Sequence, residues 1–498
     1  MSFLAMNVDL AEELESLLSE NKQKLFFDII GNRVGIYYDC IDWYSEPVIE
    51  TDDSKIYLAG WFINEKYERN NLHWLKSELD VHGCIEKVSN KLLSGVFVCI
   101  YLKNNEVTIF SDPFSLSPHY YSFQGGELKI SPSLHSFHQD IDENLRNILN
   151  SQGHLFGKYT MFRGVYRFNP GDIIKYKNGV SNLINNGYQI SSCSAEIDVT
   201  TEALKLLSTT PSNLQSIALS AGFDSRFILS VSKPQFGYTW GPETSADVIN
   251  GNKLANYSGI EYKSFSFVMN KVSEFDNKIC HILFDGSVKA YNPQFFSNYR
   301  YVKNISRPYP IALDGYLGDV LQRGVYMTFG GRLGEFFKFF PSLTPLLMTP
   351  EKLLRKRYRK LNDEQFAFVY KDFCDKSKEY SSLDDLQKVT YYEFLYGRGL
   401  RYITTGAVVM NSCFKSVFPV FASRNIFNYF ISKKAKEILN YSVFYKTWTN
   451  HDPFYRELKS EGAYSPKTKP ILIPLKNFWG RVVTNYHPKH KNYTKEGM

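Results

Sequence analysis

Between residues 202 and 315 the chain alternates helix-like and strand-like segments, and this grammar narrows the possible folds more than any other property of the sequence. Helical periodicity at 202–208, 224–233, 247–258 and 272–285 is interleaved with apolar runs at 216–220, 236–240, 262–267 and 311–315. Such alternation specifies a parallel sheet wrapped by helices. Beyond residue 320 the pattern is mostly helical, clearest at 351–375, 382–405 and 423–449. The preceding part has a different texture. Within 33–131 the runs VGIYYD, KIYLAGWF, SGVFVCIYLK, EVTIFSD and LKIS read as short strands separated by turn chemistry such as KNNE and QGGE. One amphipathic segment, Leu72 to Leu79, interrupts them, so a layered α+β domain is expected rather than a barrel. After the turn Asn169-Pro170-Gly171 and the strand-like DIIKYKNG, a polar stretch at about 188–201 reads as a linker, giving expected domains 1–190 and 191–498.

At 498 residues the chain is too long for one ordinary core. Hydrophobic residues make up 43% and charged residues 22%, values that exclude wholesale disorder and fibrous architectures. Aromatic residues reach 16%, which implies aromatic-rich cores. A net charge of +7 spread over this length is no nucleic-acid signature, so no nucleic-acid partner is expected. The seven cysteines (Cys40, Cys84, Cys99, Cys193, Cys280, Cys374, Cys413) are scattered, with no CxxC pair, and read as buried reduced thiols rather than a disulfide framework or a zinc site. The first twenty residues turn acidic and helical too soon for a signal peptide, and no run reaches the ~18 apolar residues of a membrane span. A cytoplasmic protein with no membrane partner is the expectation; its oligomeric state is not legible.

The strongest chemical signal is Ser216-Ile-Ala-Leu-Ser-Ala-Gly-Phe-Asp-Ser-Arg226, an apolar strand that runs through a small-residue loop into an amphipathic helix. In an open α/β sheet, ligands sit beyond the carboxyl ends of the strands. Ser220, Ala221, Gly222 and Ser225 keep the loop compact, so its amides and hydroxyls can wrap a phosphate at the helix N-terminus. Asp224 inside such a cradle repels phosphate unless a cation lies between them, which makes it a Mg²⁺ ligand candidate; the alternative is an ordinary turn with Asp224 as helix cap. Leu313-Asp-Gly-Tyr-Leu-Gly-Asp319 follows a later strand of the same expected sheet. It places Asp319 where it can share a metal with Asp224, unless its glycines only shape a turn and Asp319 only caps a helix.

S-A-G-F-D-S resembles the S-G-G-x-D-S pyrophosphate loop of the asparagine synthetase family, and D-G-Y-L-G-D resembles that family's second metal-binding loop. In the first half, Ala59 to Asn64, Gly95 to Leu102, Phe110 to Pro113 with His119 to Tyr121, and Phe162 to Gly171 look like successive landmarks of its glutaminase-like domain. The resemblance runs in order from about residue 33 to about 475. It implies an α+β glutaminase-like domain of Ntn-hydrolase type, then an adenine-nucleotide α-hydrolase-like α/β domain with a helical C-terminal part. It also implies ATP and Mg²⁺ as cofactors. Leu219, Ser220, Ala221, Gly222, Phe223, Asp224, Ser225, Trp240 and Gly315 would line the nucleotide, with Asp224 and Asp319 on the metal.

The departures refine that expectation. Family glutaminases use a mature N-terminal cysteine as nucleophile; here Met1 is followed by Ser2 and the first cysteine is Cys40, so glutamine hydrolysis by that route is not expected. This brings the chain nearer to relatives that keep the domain as a scaffold, such as β-lactam synthetase and lasso-peptide cyclases. Ala221 stands where the family usually has glycine, and Arg226 recurs in relatives outside primary metabolism. Tyr316 matches a position held by glutamate in asparagine synthetase and tyrosine in β-lactam synthetase. A phenol of ordinary pKa ~10 deprotonates an amine only with help, and Glu393 is one candidate partner. Tyr464 to Pro474 resembles the family's basic segment, in which Lys469, or failing that Lys467, would hold the adenylate phosphate. Val417 and Ala422 replace the family's arginine and acidic positions. The expectation is an ATP-dependent, AMP-forming amide ligase acting on a small-molecule or peptide carboxylate and an amine, with a partner protein of its pathway as a further candidate. Asparagine synthesis from ammonia and a non-catalytic nucleotide-binding scaffold are the rivals.

Overall fold

The computed structural model describes every residue except 1, 41–45, 138, 191–196, 269–270, 290–291, 330–336, 381, 461–463 and 487–498. Cys193, part of the expected linker and residues 487–498 lie outside the described residues. The described residues form a mixed α/β protein with two antiparallel sheets, one parallel sheet and surrounding helices. It divides into two compact units that interleave along the sequence. One comprises residues 1–191, 272–300 and 394–418, and the other 192–271, 301–393 and 419–498.

The first unit holds strands β1 (Phe3–Met6), β2 (Gln23–Ile29), β3 (Asn32–Tyr38), β4 (Val48–Glu50), β5 (Ser54–Asn64), β6 (Leu92–Lys103), β7 (Glu106–Ser111), β8 (Tyr120–Gln124), β9 (Glu127–Ser131), β10 (Val165–Arg167), β11 (Asp172–Lys177) and β12 (Val180–Asn185). They form two six-stranded sheets, β10-β8-β9-β1-β3-β2 and β12-β11-β7-β6-β5-β4. The two-residue period of β6 shows how they stack. Val98 and Ile100 join Leu4, Ile36 and Ile130 in a core between the sheets. Phe97, Cys99 and Tyr101 point the other way, onto Leu75, Leu79 and Val88 of the helices Leu72–His82 and Ile85–Ser89. The continuous apolar run of β6 is therefore covered on both faces.

The second unit contains β13 (Gln215–Ala218), β14 (Phe236–Trp240), β15 (Glu261–Phe265) and β16 (Ile311–Asp314), joined by parallel pairings β13–β14, β14–β15 and β13–β16. The sheet order is β15-β14-β13-β16-β17, where β17 is Ser416–Pro419. Helices Asp224–Ser232 and Ala246–Ser258 follow β13 and β14, as the alternation predicts.

Several sequence expectations are corrected. The stretch 423–449 is three short helices, Arg424–Ile431, Ala435–Leu439 and Ser442–Thr447, because Lys434 is extended and Tyr441 takes a left-handed φ of 61°. Likewise 351–375 divides into Pro350–Arg357 and Asp363–Ser377, and 382–405 is a helix Asp385–Leu395 followed by π-helical turns. The helix Pro293–Ile305 and strand β17 have no counterpart in the sequence reading. Buried thiols are right for Cys99, Cys280 and Cys413 but not for Cys40, which is exposed, or for Cys84 and Cys374, which are half-buried. Tyr188, read as the start of a polar linker, is buried against Phe114.

Candidate active site

Strand β13 leads into the loop Ser220–Phe223, and its ladder continues one residue further, with Leu219 N donating to Tyr238 O at 2.8 Å. Thr239 Oγ1 donates to Leu219 O at 2.8 Å, so two strands fix the point where the loop departs. The turn then closes on itself: Gly222 N donates to Ser220 Oγ at 3.1 Å, and Ser220 Oγ lies 3.3 Å from Ser225 Oγ. Phe223 caps the helix that Asp224 begins, with its ring against Phe444 and Tyr464. Arg226, fully buried, pins the loop from behind. It donates to Ala221 O at 3.0 Å and to Leu458 O at 2.5 Å.

The second loop, Gly315–Leu317, leaves the neighbouring strand β16 and packs directly on Asp224. A Cβ added to Gly315 would lie 3.0 Å from Asp224 Cβ, and one on Gly318 would lie 2.7 Å from Asp224 Cγ and 2.6 Å from the Phe421 ring. Only glycine permits that approach. Leu317 between them takes a left-handed φ of 54°, a conformation that costs a non-glycine residue about 1–2 kcal/mol. Because β14 and β15 lie on one side of β13 and β16 on the other, these two loops flank the point where the strand order reverses. In open α/β sheets that is where ligands bind.

The electrostatics are those of a carboxylate cluster lacking enough positive charge. Burial pushes the Asp224 carboxyl up to about 7; Arg323 opposes this, while Asp319 and Asp314 add to it. Asp314 is likewise pushed up to about 7 by burial. Arg323 sits 3.7 Å from Asp224 Oδ2, and Gln322 Nε2 donates to Oδ1 at 3.4 Å. Burial works against the Arg323 charge, but Tyr464 and the carboxylates of Asp224 and Asp319 outweigh it and hold the guanidinium protonated. All-oxygen donors with surplus negative charge suit a hard cation such as Mg²⁺, so Asp224 and Asp319 fit the ligand role the sequence suggests.

The other anticipated residues are placed as follows. Trp240 ends β14, half-buried against Phe265 and Tyr238. Tyr316 is buried in the second loop. Glu393, fully buried, lies near Tyr358 and Tyr326: burial first, then the Glu393 charge, raises both phenols, and Asp319 and Tyr316 contribute further at Tyr326. Glu393 thus belongs to the same neighbourhood as Tyr316. Lys467 pairs with Glu457 at 2.7 Å, and Lys469 is exposed at the start of a 3-10 turn. Val417 and Ala422 are buried.

Four groups escaped the sequence reading. Asp247, in the first turn of Ala246–Ser258, accepts from Ala221 N at 2.8 Å and so occupies one of the loop amides. Arg323 faces Asp224. Buried Lys338 donates to Arg323 O at 2.9 Å and to Tyr441 OH at 3.0 Å. Tyr464 is pushed up to about 12, by burial above all, against the pull of Arg323. Only Tyr464 had a signal, as the first residue of the basic segment.

No protein-family model matches the chain, and no curated protein does. Among solved structures it is similar to glutamine phosphoribosylpyrophosphate amidotransferase from B. subtilis complexed with ADP and GMP. The identity is 11%, with a TM-score of 0.23, over 53% of this chain and 65% of that one. A structure described as the allosteric regulatory enzyme of purine biosynthesis matches at 11% identity and TM-score 0.22 over the same shares. The chain thus spans less than two-thirds of the length of these neighbours, and the relation is weak.

Proposed function

We propose that the protein is an ATP-dependent, AMP-forming amide-bond ligase of the asparagine synthetase type, which activates a carboxylate as an acyl-adenylate for attack by an amine. The observation that carries this reading is the meeting of the loops Ser220–Phe223 and Gly315–Leu317 across Asp224, at the reversal point of a parallel sheet. Loop and helix N-terminus are suited to a polyphosphate. Asp224 and Asp319 would hold Mg²⁺, which when bound supplies the positive charge that a departing pyrophosphate needs. Arg323 keeps a fixed cation beside the same carboxylate, and the close packing of Gly315 and Gly318 holds the two acidic residues in one place. Tyr316 and buried Glu393 are the groups available to take a proton from an incoming amine, with Tyr326 beside them. Exchange of labelled pyrophosphate into ATP that depends on an added carboxylate supports the reading. Exchange with aspartate alone, together with asparagine formation from aspartate, ATP and ammonium, would narrow it to asparagine synthesis, and no exchange with any amino acid, sugar acid or peptide would overturn it.

A second reading, a nucleotide-binding scaffold without catalysis, is favoured by one specific feature. Asp247 occupies the Ala221 amide and Arg323 engages Asp224, so internal groups already answer part of the site's demand. ATP binding without pyrophosphate exchange is the result that reading predicts.

A further inference from the structure

In the first unit, remote in sequence from either loop, His135, His281 and Asp285 converge, and we propose that they bind a divalent transition-metal ion of the zinc and cobalt class. His135 Nε2 lies 3.7 Å and His281 Nε2 3.8 Å from Asp285 Oδ2, and one ligand atom from each residue falls within 4.8 Å of the others. Nitrogen and oxygen donors bound at ~2.0–2.1 Å in a tetrahedral site stand about 3.4 Å apart, so the three groups need only a small inward movement. Two imidazoles and one carboxylate favour zinc, cobalt or iron(II) over magnesium, which prefers oxygen alone.

The surroundings organise the donors. Asp285 Oδ1 accepts from Gly286 N at 3.0 Å, which leaves Oδ2 directed at both imidazoles. His281 and Asp285 are four residues apart at the end of the helix Glu274–Phe284, on one face and at the pole where backbone carbonyls favour a cation. His135 sits in the 3-10 turn Leu134–Ser136, and that turn is tied to the helix by Ser133 Oγ, which donates to Ile282 O at 2.6 Å. The side chains of His135, His281 and Asp285 are 32%, 55% and 40% exposed, so an ion could enter and keep water at its remaining positions. Such an ion would crosslink segments almost 150 residues apart. The competing arrangement is a proton-dependent ion pair, since the neighbouring His135 imidazole above all holds the Asp285 carboxyl below its ordinary range; in that case no metal is bound.

The test uses the untagged full chain, stripped with chelator and titrated with Co²⁺ and Zn²⁺ in excess Mg²⁺, so that Asp224 and Asp319 do not compete. The proposal predicts one Co²⁺ per chain with a visible ligand-field spectrum, Zn²⁺ displacing it, and the same binding in Asp224→Ala. His281→Gln, His135→Gln and Asp285→Asn should each weaken binding by at least the ~10–100-fold that even outer partners of a metal are worth. His281 is the safest position, being half-exposed, and circular dichroism checks that each variant folds. No stoichiometric binding by the wild type, or binding unchanged in folded His281→Gln and Asp285→Asn, would overturn the proposal.

Discussion

Gly318 concentrates the site's geometric demand in one missing methyl group. Adding it places carbon 2.6 Å from Phe421 and 2.7 Å from Asp224, so Gly318→Ala should cost ~1–3 kcal/mol by overpacking and lower ATP affinity with it. Gly406→Ala is the control, since its methyl would meet nothing within 4 Å. Urea unfolding and nucleotide titration of both variants measure the contrast; equal effects at the two positions would contradict this account of the loop. Tyr316→Phe removes only the phenol oxygen. If Tyr316 handles the amine's proton, amide formation should fall about 10²-fold or more while carboxylate-dependent pyrophosphate exchange persists. A quench-flow or product assay run beside the exchange assay separates the two. The residues legible in the sequence were those carried by the two loops, because strand, small residues and acid are adjacent in the chain. Asp247 and Arg323 were illegible because each is an ordinary charged residue on its own helix and gains meaning only by facing Asp224 or its loop, and Lys338 because it meets Arg323 and Tyr441 only through the fold. His135 and His281 were missed for the same reason, since a search for clustered cysteines does not join positions in distant segments.

At the scale of elements, Asp80 ties the helix Leu72–His82 to the sheet beneath it. Its carboxylate accepts from Tyr101 OH at 2.6 Å, Ser54 Oγ at 2.7 Å and Lys76 Nζ at 2.8 Å. Burial alone would raise its pKa, but these partners outweigh burial and hold it down at about 2. A carboxyl with a folded value below its unfolded one contributes stability that is complete above pH ~4 and lost as pH falls towards 2. Asp80→Asn should therefore cost about 1–2 kcal/mol at pH 7, discounted for partial exposure, and almost nothing near pH 2. Denaturant unfolding across that range checks the sign, and a deficit that persists at pH 2 would contradict it. Element types were legible where periodicity was long, as in the alternation after residue 202 and the two-sided strand β6. The helix Pro293–Ile305 was obscured by its aromatic content.

At the scale of the whole molecule, the two units exchange segments along the chain, so neither is a contiguous stretch. Helix Glu274–Phe284 packs on Glu12–Asn21, and buried Arg401 donates to Gly157 O and Tyr159 O at 2.6 Å each. A chain starting near residue 190 would strip both segments of these partners, exposing apolar surface and a buried guanidinium, and should be insoluble or inactive. A soluble fragment with full activity would show that the first 190 residues are dispensable. That two sheet systems exist was legible from the change in grammar; which later segments return to the first unit was not, because long-range packing leaves no local pattern. No described helix is long and apolar enough to cross a membrane. The central claim is that the two loops around Asp224 form a magnesium-dependent nucleotide site, and equilibrium titration of the full chain with ATP and Mg²⁺ tests it most directly. The account predicts saturable binding that needs Mg²⁺ and is lost or weakened at least tenfold in Asp224→Ala and Asp319→Ala; binding undiminished in both variants would contradict it.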